Sequence, residues 1–235
     1  MMKKIFFVLV AMMCSISMSA QQVKAMKGNT IIATYSLSQV DKVVFEYAAV
    51  ATTGTATATI GGNNVGVKWT QLWSDGPKFA EYNVGVTDGQ STTTGGLYCW
   101  GKTVDKDRNS VCNSGTLALN GNDDTATALW GSKWRMPTRS ELEALMTNCT
   151  VNSETTGGVR GFRFTGKGDY SENSIFLPAA GISAEGNVLY TTECHYWSST
   201  PAESNTAYEL SNEYSLTVTD NFRWFGQSVR AVLAE

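Results

Sequence analysis

The run Trp130-Gly131-Ser132-Lys133-Trp134-Arg135-Met136-Pro137-Thr138-Arg139-Ser140-Glu141-Leu142 limits what this chain can fold into more than any other stretch. Thr138 and Glu141 have the spacing of a capping box. The threonine hydroxyl can accept from the backbone N–H of Glu141, while the glutamate carboxylate reaches back to the N–H of Thr138. The helix that follows, Arg139 to about Asn148, carries Leu142, Leu145 and Met146 at helical spacing, so one of its faces is apolar. Pro137 disfavours helix at Met136, so the chain should arrive extended and turn sharply at Thr138. A bounded helix with two indoles beside it is expected to organise a core. It names no chemistry.

Lys3 and Lys4, the apolar run from Ile5 to Met13 and the small residues ending Ser19-Ala20 have the layout of a secretory signal peptide over residues 1–20. The apolar run is too short for the ~20 residues of a membrane-spanning helix. Met12 and Met13 stand before Cys14 where a lipobox needs small residues, which argues against a lipid anchor. The expectation is export to the periplasm, the cell surface or the medium, with no membrane span in the mature chain. Charged residues make up 17 % of the sequence, against about 25 % in ordinary globular proteins. The surface must therefore rely on Ser, Thr, Asn and Gly. A net charge of -3 without a basic cluster argues against nucleic acid as a partner. Cys99, Cys112, Cys149 and Cys194 lie beyond the signal segment, and an even number in an exported chain suggests disulfides. Cys99–Cys112 with Cys149–Cys194 is the favoured pairing, and buried thiols are the alternative.

Residues 21–47 read as a small β module, with a turn at Lys27-Gly28-Asn29-Thr30, strands near Ile31–Tyr35 and Val43–Phe45, and a single helical turn between them at 38–41. Residues 48–58 collapse to Ala, Thr and Gly and read as a linker, although the Thr/Ala alternation at 55–59 would also suit a strand. The main domain then covers 59–235. Strands are expected at Val65–Trp69, Phe79–Gly85, Phe162–Phe164, Ser174–Leu177, Val188–Tyr190, Tyr196–Ser198, Ala207–Leu210, Leu216–Val218 and Ser228–Val232, with a buried strand or turn at Gly95–Gly101. Asp123 or Asp124 can cap a short helix that stops at Gly131. Two helices among many short strands, without strand–helix alternation, define an α+β class.

Trp130-Gly131, Trp134-Arg135-Met136-Pro137-Thr138 and Glu141 resemble the W-G-x-x-W-R-[LM]-P-T-x-x-E signature of the Fibrobacter succinogenes major paralogous domain (FISUMP) family. Ile175-Phe176-Leu177-Pro178-Ala179-Ala180-Gly181, Tyr196-Trp197-Ser198-Ser199-Thr200 and Ser228-Val229-Arg230 are similar to later blocks of that family in the same order. Tyr82-Asn83-Val84-Gly85 and Tyr98-Cys99-Trp100-Gly101 resemble its earlier ones. The resemblance implies an exported or surface-associated bacterial domain of C-type-lectin-like α+β fold with two short helices and many short, mainly antiparallel strands. Its superfamily is that of the sulfatase-modifying, formylglycine-generating enzymes. It implies no catalytic activity, and it assigns Trp130, Trp134, Arg135, Pro137, Thr138, Glu141, Trp197 and Arg230 to architecture.

The residues themselves offer little catalysis. His195 is the single histidine, and no Gly-x-Ser-x-Gly elbow accompanies it. Its default role is structural. Cys194 has no closely spaced cysteine of the kind formylglycine-generating enzymes use. Asp105-x-Asp107-x-Asn109 opens like a calcium loop, but Ser110 and Thr116 stand where an EF-hand needs glycine and glutamate, so solvated loop carboxylates are the better reading. Phe222-Arg223-Trp224-Phe225, beside the turn Asp220-Asn221, is an aromatic-rich run in which Arg223, Trp224 and Phe225 can stack on sugars or anchor a protein; a place for Trp224 and Phe225 in the core is the alternative. The functional expectation is a non-enzymatic domain that binds carbohydrate or another surface macromolecule. A structural part of a surface assembly is the alternative, and an enzyme of the formylglycine-generating superfamily comes third.

Overall fold

The computed structural model describes residues 3–9, 14–19, 22–27, 30–36, 40–47, 51–106 and 118–234. The chain forms two compact units, Met1–Ala51 and Thr52–Glu235. In the first, β1 (Lys3–Leu9) lies parallel to β5 (Val40–Tyr47). β2 (Cys14–Ser19), β3 (Gln22–Lys27) and β4 (Thr30–Ser36) form an antiparallel meander. Lys27 pairs with Thr30 across the turn that the sequence marks. The helical turn expected at 38–41 is not formed over Val40 and Asp41, which open β5.

The second unit is β-rich α+β. It begins with β6 (Thr53–Ile60) and β7 (Asn63–Gln71), a long hairpin joined by Gly61 and Gly62. Both glycines have positive φ, the geometry of a two-residue type I′ turn. Residues 53–58 therefore belong to this sheet and not to a linker. Their small side chains have a packing reason: Ala58 is buried in the core, and Gly54 lies under the indole of Trp69, where a Cβ would come within 2.6 Å of the ring. β8 (Lys78–Ala80), β9 (Trp134–Arg135) and β18 (Val232–Leu233) complete a five-stranded antiparallel sheet ordered β6-β7-β8-β18-β9.

Both faces of this sheet are covered. Consecutive strand residues point to opposite faces, and Ala80 and Ala231 belong to one apolar cluster while Phe79 and Val232 belong to another. The first face is packed by Trp100, Trp130, Trp134 and Trp197, together with helix α1 (Thr125–Trp130). The second is packed by Leu142 and Leu145 of helix α2 (Arg139–Asn148) and by the meander β10 (Thr150–Thr156), β11 (Val159–Thr165) and β12 (Ser174–Pro178). Fully burying each large apolar side chain contributes about 2 kcal/mol, so the two clusters dominate the stability of this unit. β13 (Ile182–Ala184) and β14 (Asn187–Leu189) form a small hairpin. β15 (His195–Pro201), β16 (Thr206–Ser211) and β17 (Thr217–Phe222) form a second meander.

The Trp130–Glu141 run serves both faces. The indoles of Trp130 and Trp134 meet edge to face at 5.4 Å and 82°, and Trp134 Nε1 donates to the Thr57 carbonyl at 3.0 Å, which caps the edge of β6. Arg135 points the other way and forks onto Glu141, with Nη1–Oε2 at 2.8 Å and Nη2–Oε1 at 2.6 Å. The capping box forms as the spacing requires: Thr138 Oγ1 accepts from Glu141 N at 3.3 Å, and Thr138 N donates to Glu141 Oε2 at 2.7 Å. Of the two candidate caps for α1, Asp124 is the one used. It accepts from Thr127 N and, with both oxygens, from Met136 N.

Two strand expectations shorten. Phe79–Gly85 leaves the sheet after Ala80, and only Val232 of Ser228–Val232 has regular pairing. The reason is that residues 226–231 bond to a different segment at almost every step. Gln227 pairs with Tyr98, Ser228 with His195 and Trp197, Val229 with Val84, and Ala231 with Ala80. Gly95–Gly101 likewise contributes a bridge at Tyr98 rather than a strand.

Arg230 holds this spine. Its guanidinium is buried and donates to Asn83 Oδ1 at 2.9 Å, to the carbonyls of Ala80 and Glu81, and to the Phe176 carbonyl at 2.8 Å. An ammonium cannot reproduce that fork. Arg230→Lys should therefore destabilise the domain by about 3 kcal/mol in urea unfolding. Thr138→Ala, which loses a cap, should cost about 1 kcal/mol. Equal losses in the two variants would contradict this ranking.

Candidate binding site

The turn after β17 builds an aromatic platform. Phe225 N donates to the Phe222 carbonyl at 3.1 Å, which closes a β-turn with Arg223 and Trp224 at its centre. Trp224 turns outward and lies parallel on Phe222, with ring centroids 4.2 Å apart and planes at 7°. Phe225 leans on Trp224 at 5.7 Å and 55°. Trp224 is 50 % exposed and Phe222 is 40 % exposed. Water-facing rings held flat against each other present π faces that can stack on the C–H face of a sugar ring or on another aromatic side chain.

Arg223 does not belong to the surface of this site, contrary to its expected role as a ligand contact. It is only 2 % exposed, and its guanidinium lies 4.2 Å over the ring of Trp100. Nε donates to the Thr206 carbonyl and Nη2 to the Glu203 carbonyl, each at 2.8 Å. Its side chain fastens the turn from below. Cys99 Sγ adds a contact to the Trp224 carbonyl at 2.9 Å. The structure thus brings Trp224 and Phe225 together, removes Arg223 and adds Phe222. The signal for Phe222 was present in the sequence: it opens the same aromatic run two positions before Trp224, and the β-turn stacks the two rings.

His195 occupies a second polar cluster, inside the β15–β17 meander. Nδ1 lies 3.1 Å from Glu209 Oε2 and Nε2 lies 3.2 Å from Glu193 Oε2, while Asn221 Nδ2 donates to Glu209 Oε1. His195 and Glu209 are both buried. Burial pulls the imidazole pKa down, but the hydrogen bonds and charges of Glu209 and then Glu193 outweigh it and hold the pKa above its ordinary value. The ring is clamped between two carboxylates that favour its charged form.

Cys149 and Cys194 carry unbridged buried thiols, so the expected Cys149–Cys194 disulfide is not formed. Both lie in the apolar cluster with α2, and Cys194 Sγ donates to the Leu177 carbonyl at 3.5 Å. They pack as small hydrophobes, and burial pushes their pKa values up to about 11 and about 12 respectively. Cys112, the expected partner of Cys99, lies outside the described residues, as do Asp107 and Asn109. Asp105 accepts from Leu97 N at 2.7 Å and from Lys106 Nζ at 2.7 Å, which engages both carboxylate oxygens. Among the described residues, no three His, Cys, Asp or Glu side chains converge as a metal site.

No family model, curated protein or solved structure matches the chain.

A raised histidine pKa means that the His195 clamp contributes its full stability below about pH 6.5, the unfolded value. That contribution is lost as pH rises through the higher folded value. Wild-type unfolding free energy should fall from neutral pH into the alkaline range, and this slope should flatten in His195→Asn. The variant, with the buried Glu209 keeping Asn221 but losing its imidazole partner, should also be less stable throughout. In the folded protein at pH 8, Cys149 and Cys194 should resist iodoacetamide and become alkylated only on denaturation, as peptide mass spectrometry would show.

Proposed function

We propose that this protein is an exported, non-enzymatic binding domain of C-type-lectin-like architecture in the FISUMP family, and that it recognises carbohydrate at or outside the bacterial cell surface. The signal segment over residues 1–20 supports export. Cleavage after Ala20 would remove β1 and β2 from the mature chain.

The family reading is supported by where its blocks meet. Ser199 N donates to the Pro137 carbonyl, Tyr196 Oη to the Pro178 carbonyl, Trp197 N to the Ser228 carbonyl and Arg230 to the Phe176 carbonyl. Four segments far apart in sequence are thus wired into one centre. Gly181 meets a steric demand within its block: φ is +68°, and a Cβ there would collide with the Leu189 carbonyl. The described helices include none long and apolar enough to cross a membrane.

The carbohydrate reading is carried by the stacked, exposed Phe222–Trp224 pair on its buried Arg223 base. A rigid aromatic surface binds sugar with little ordering cost, because the platform is preorganised. The assembly alternative draws on a different surface: the β13–β14 hairpin and the residue after it expose Val188, Leu189 and Tyr190, which suit a protein partner.

A glycan array probed with wild type and Trp224→Ala separates the two. Saturable glycan binding that weakens about tenfold or more in the variant, with thermal stability unchanged within about 0.5 kcal/mol, supports the carbohydrate reading. Absence of glycan binding, with co-purification in a surface complex, replaces it with the assembly role.

A further inference from the structure

We infer a second ligand site, a polar groove on the face of the five-stranded sheet that takes a neutral oligosaccharide chain. It shares no residue with the Phe222–Trp224 platform and does not depend on it. Two open cavities, of about 510 Å³ and about 480 Å³, meet at Lys68 and Glu81. Each is within the 300–1,000 Å³ range typical of small-molecule sites.

Register explains why the groove exists. Thr55 pairs with Lys68, and Glu81 N donates to the Lys68 carbonyl, so the three side chains form one cross-strand row. Thr70 pairs with Phe79 in the next row, which places both rows on the face of the Phe79 cluster. Farther along, β10–β12 cover that face. Here their edge stops short and stands as a wall. Arg163 is the main polar group of the wall. It pairs with Glu154 at 2.7 Å, donates to Ser174 Oγ at 3.2 Å and sits 5.5 Å over the Phe176 ring. Ile175 and Phe176 of the wall add apolar surface to the lining, whereas the Trp69 indole, over Gly54, lies on the opposite face with the Ala80 cluster.

Charge decides the ligand class. Two cations, Lys68 and Arg163, and two carboxylates, Glu81 and Asp88, line the two cavities; Lys68 pairs with Glu81 at 3.8 Å, and Arg163 is held by Glu154 behind the wall at 2.7 Å. A polyanion would meet both carboxylates, and a polycation both bases. A chain of hydroxyls has neither penalty. It can donate to Glu81, accept from Lys68 and exchange hydrogen bonds with Thr55. The Lys68–Glu81 pair is loose and well exposed, at 72 % and 41 %, so opening it around a ligand costs little.

The test is amide chemical-shift mapping on the full chain with soluble β-linked glucose, xylose and mannose oligosaccharides, each titrated into wild type, Thr55→Trp, Glu81→Gln and Trp224→Ala. Thr55 and Glu81 have exposed side chains, so both groove variants should fold, and their spectra will verify it. The expected result is saturable shifts at residues 53–55, 68–70 and 163 with at least one neutral series. Affinity should drop about tenfold in Thr55→Trp, fall to a smaller extent in Glu81→Gln and stay unchanged in Trp224→Ala. The inference is overturned by shifts confined to residues 222–225, by no groove shifts with any neutral series, or by groove binding only to a sulfated oligosaccharide, titrated as a control, that is abolished by salt. Loss in Trp224→Ala with the groove variants unaffected would leave the platform standing and remove the groove.

Discussion

Arg230 carries a full charge into the centre of the domain and has no carboxylate within its hydrogen-bonding fork. Carbonyls of Ala80, Glu81 and Phe176 and the amide oxygen of Asn83 take its protons. Burying a charge this way is costly unless its donors are satisfied, and leaving one carbonyl out of reach would strand part of the charge. The guanidinium therefore demands that the sheet strand β8, the loop at Asn83 and the β12 edge all be present at once. Asn83 passes the demand on, donating to the Thr94 carbonyl and to Tyr196 Oη, which in turn donates to the Pro178 carbonyl. Desolvation lowers the Arg230 pKa from its ordinary value, yet an arginine starts so high that it stays charged.

This constraint explains why the middle of the domain has so little regular structure. A regular strand satisfies its backbone with two neighbours. The 226–231 spine satisfies its own with several segments, because Arg230 and the buried indole N–H groups fix those segments in place. Trp100 Nε1 donates to the Ser198 carbonyl and Trp197 Nε1 to the Tyr98 carbonyl, which draws the same loops inward. The tryptophans supply packing area and also direct hydrogen bonds, two functions that a leucine core could not combine.

The local elements were legible in the sequence because their causes are local. The capping box at Thr138 and Glu141, the start and end of α2 and the strand around Phe162–Phe164 each follow from a few adjacent residues. The misreadings have non-local causes. Thr53–Ala58 looked like a linker because nothing in it is large, and only the Trp69 and Trp134 indoles that cover it show why large side chains are not needed there. Arg223 looked like a surface contact because it sits between exposed aromatics, and only Trp100, more than a hundred positions away in the chain, reveals that it points inward. Cys149 and Cys194 looked like partners by parity, whereas their burial in one apolar cluster gives each a reason to be present without a bond.

The same division bears on where binding can evolve. Residues wired into the Arg230 and tryptophan networks cannot change without breaking several hydrogen bonds, so they are poor places to vary specificity. Phe222, Trp224, Thr55, Lys68 and Glu81 have side chains that leave those networks and face water. The platform and the groove nevertheless rest directly on the fixed parts: Arg223 lies beneath one and the β11–β12 edge bounds the other. A ligand at either place would meet a surface whose position is set by buried charge and packed indoles. A rigid base under water-facing side chains is what the proposed binding role would require, and in this chain a buried arginine supplies the rigidity.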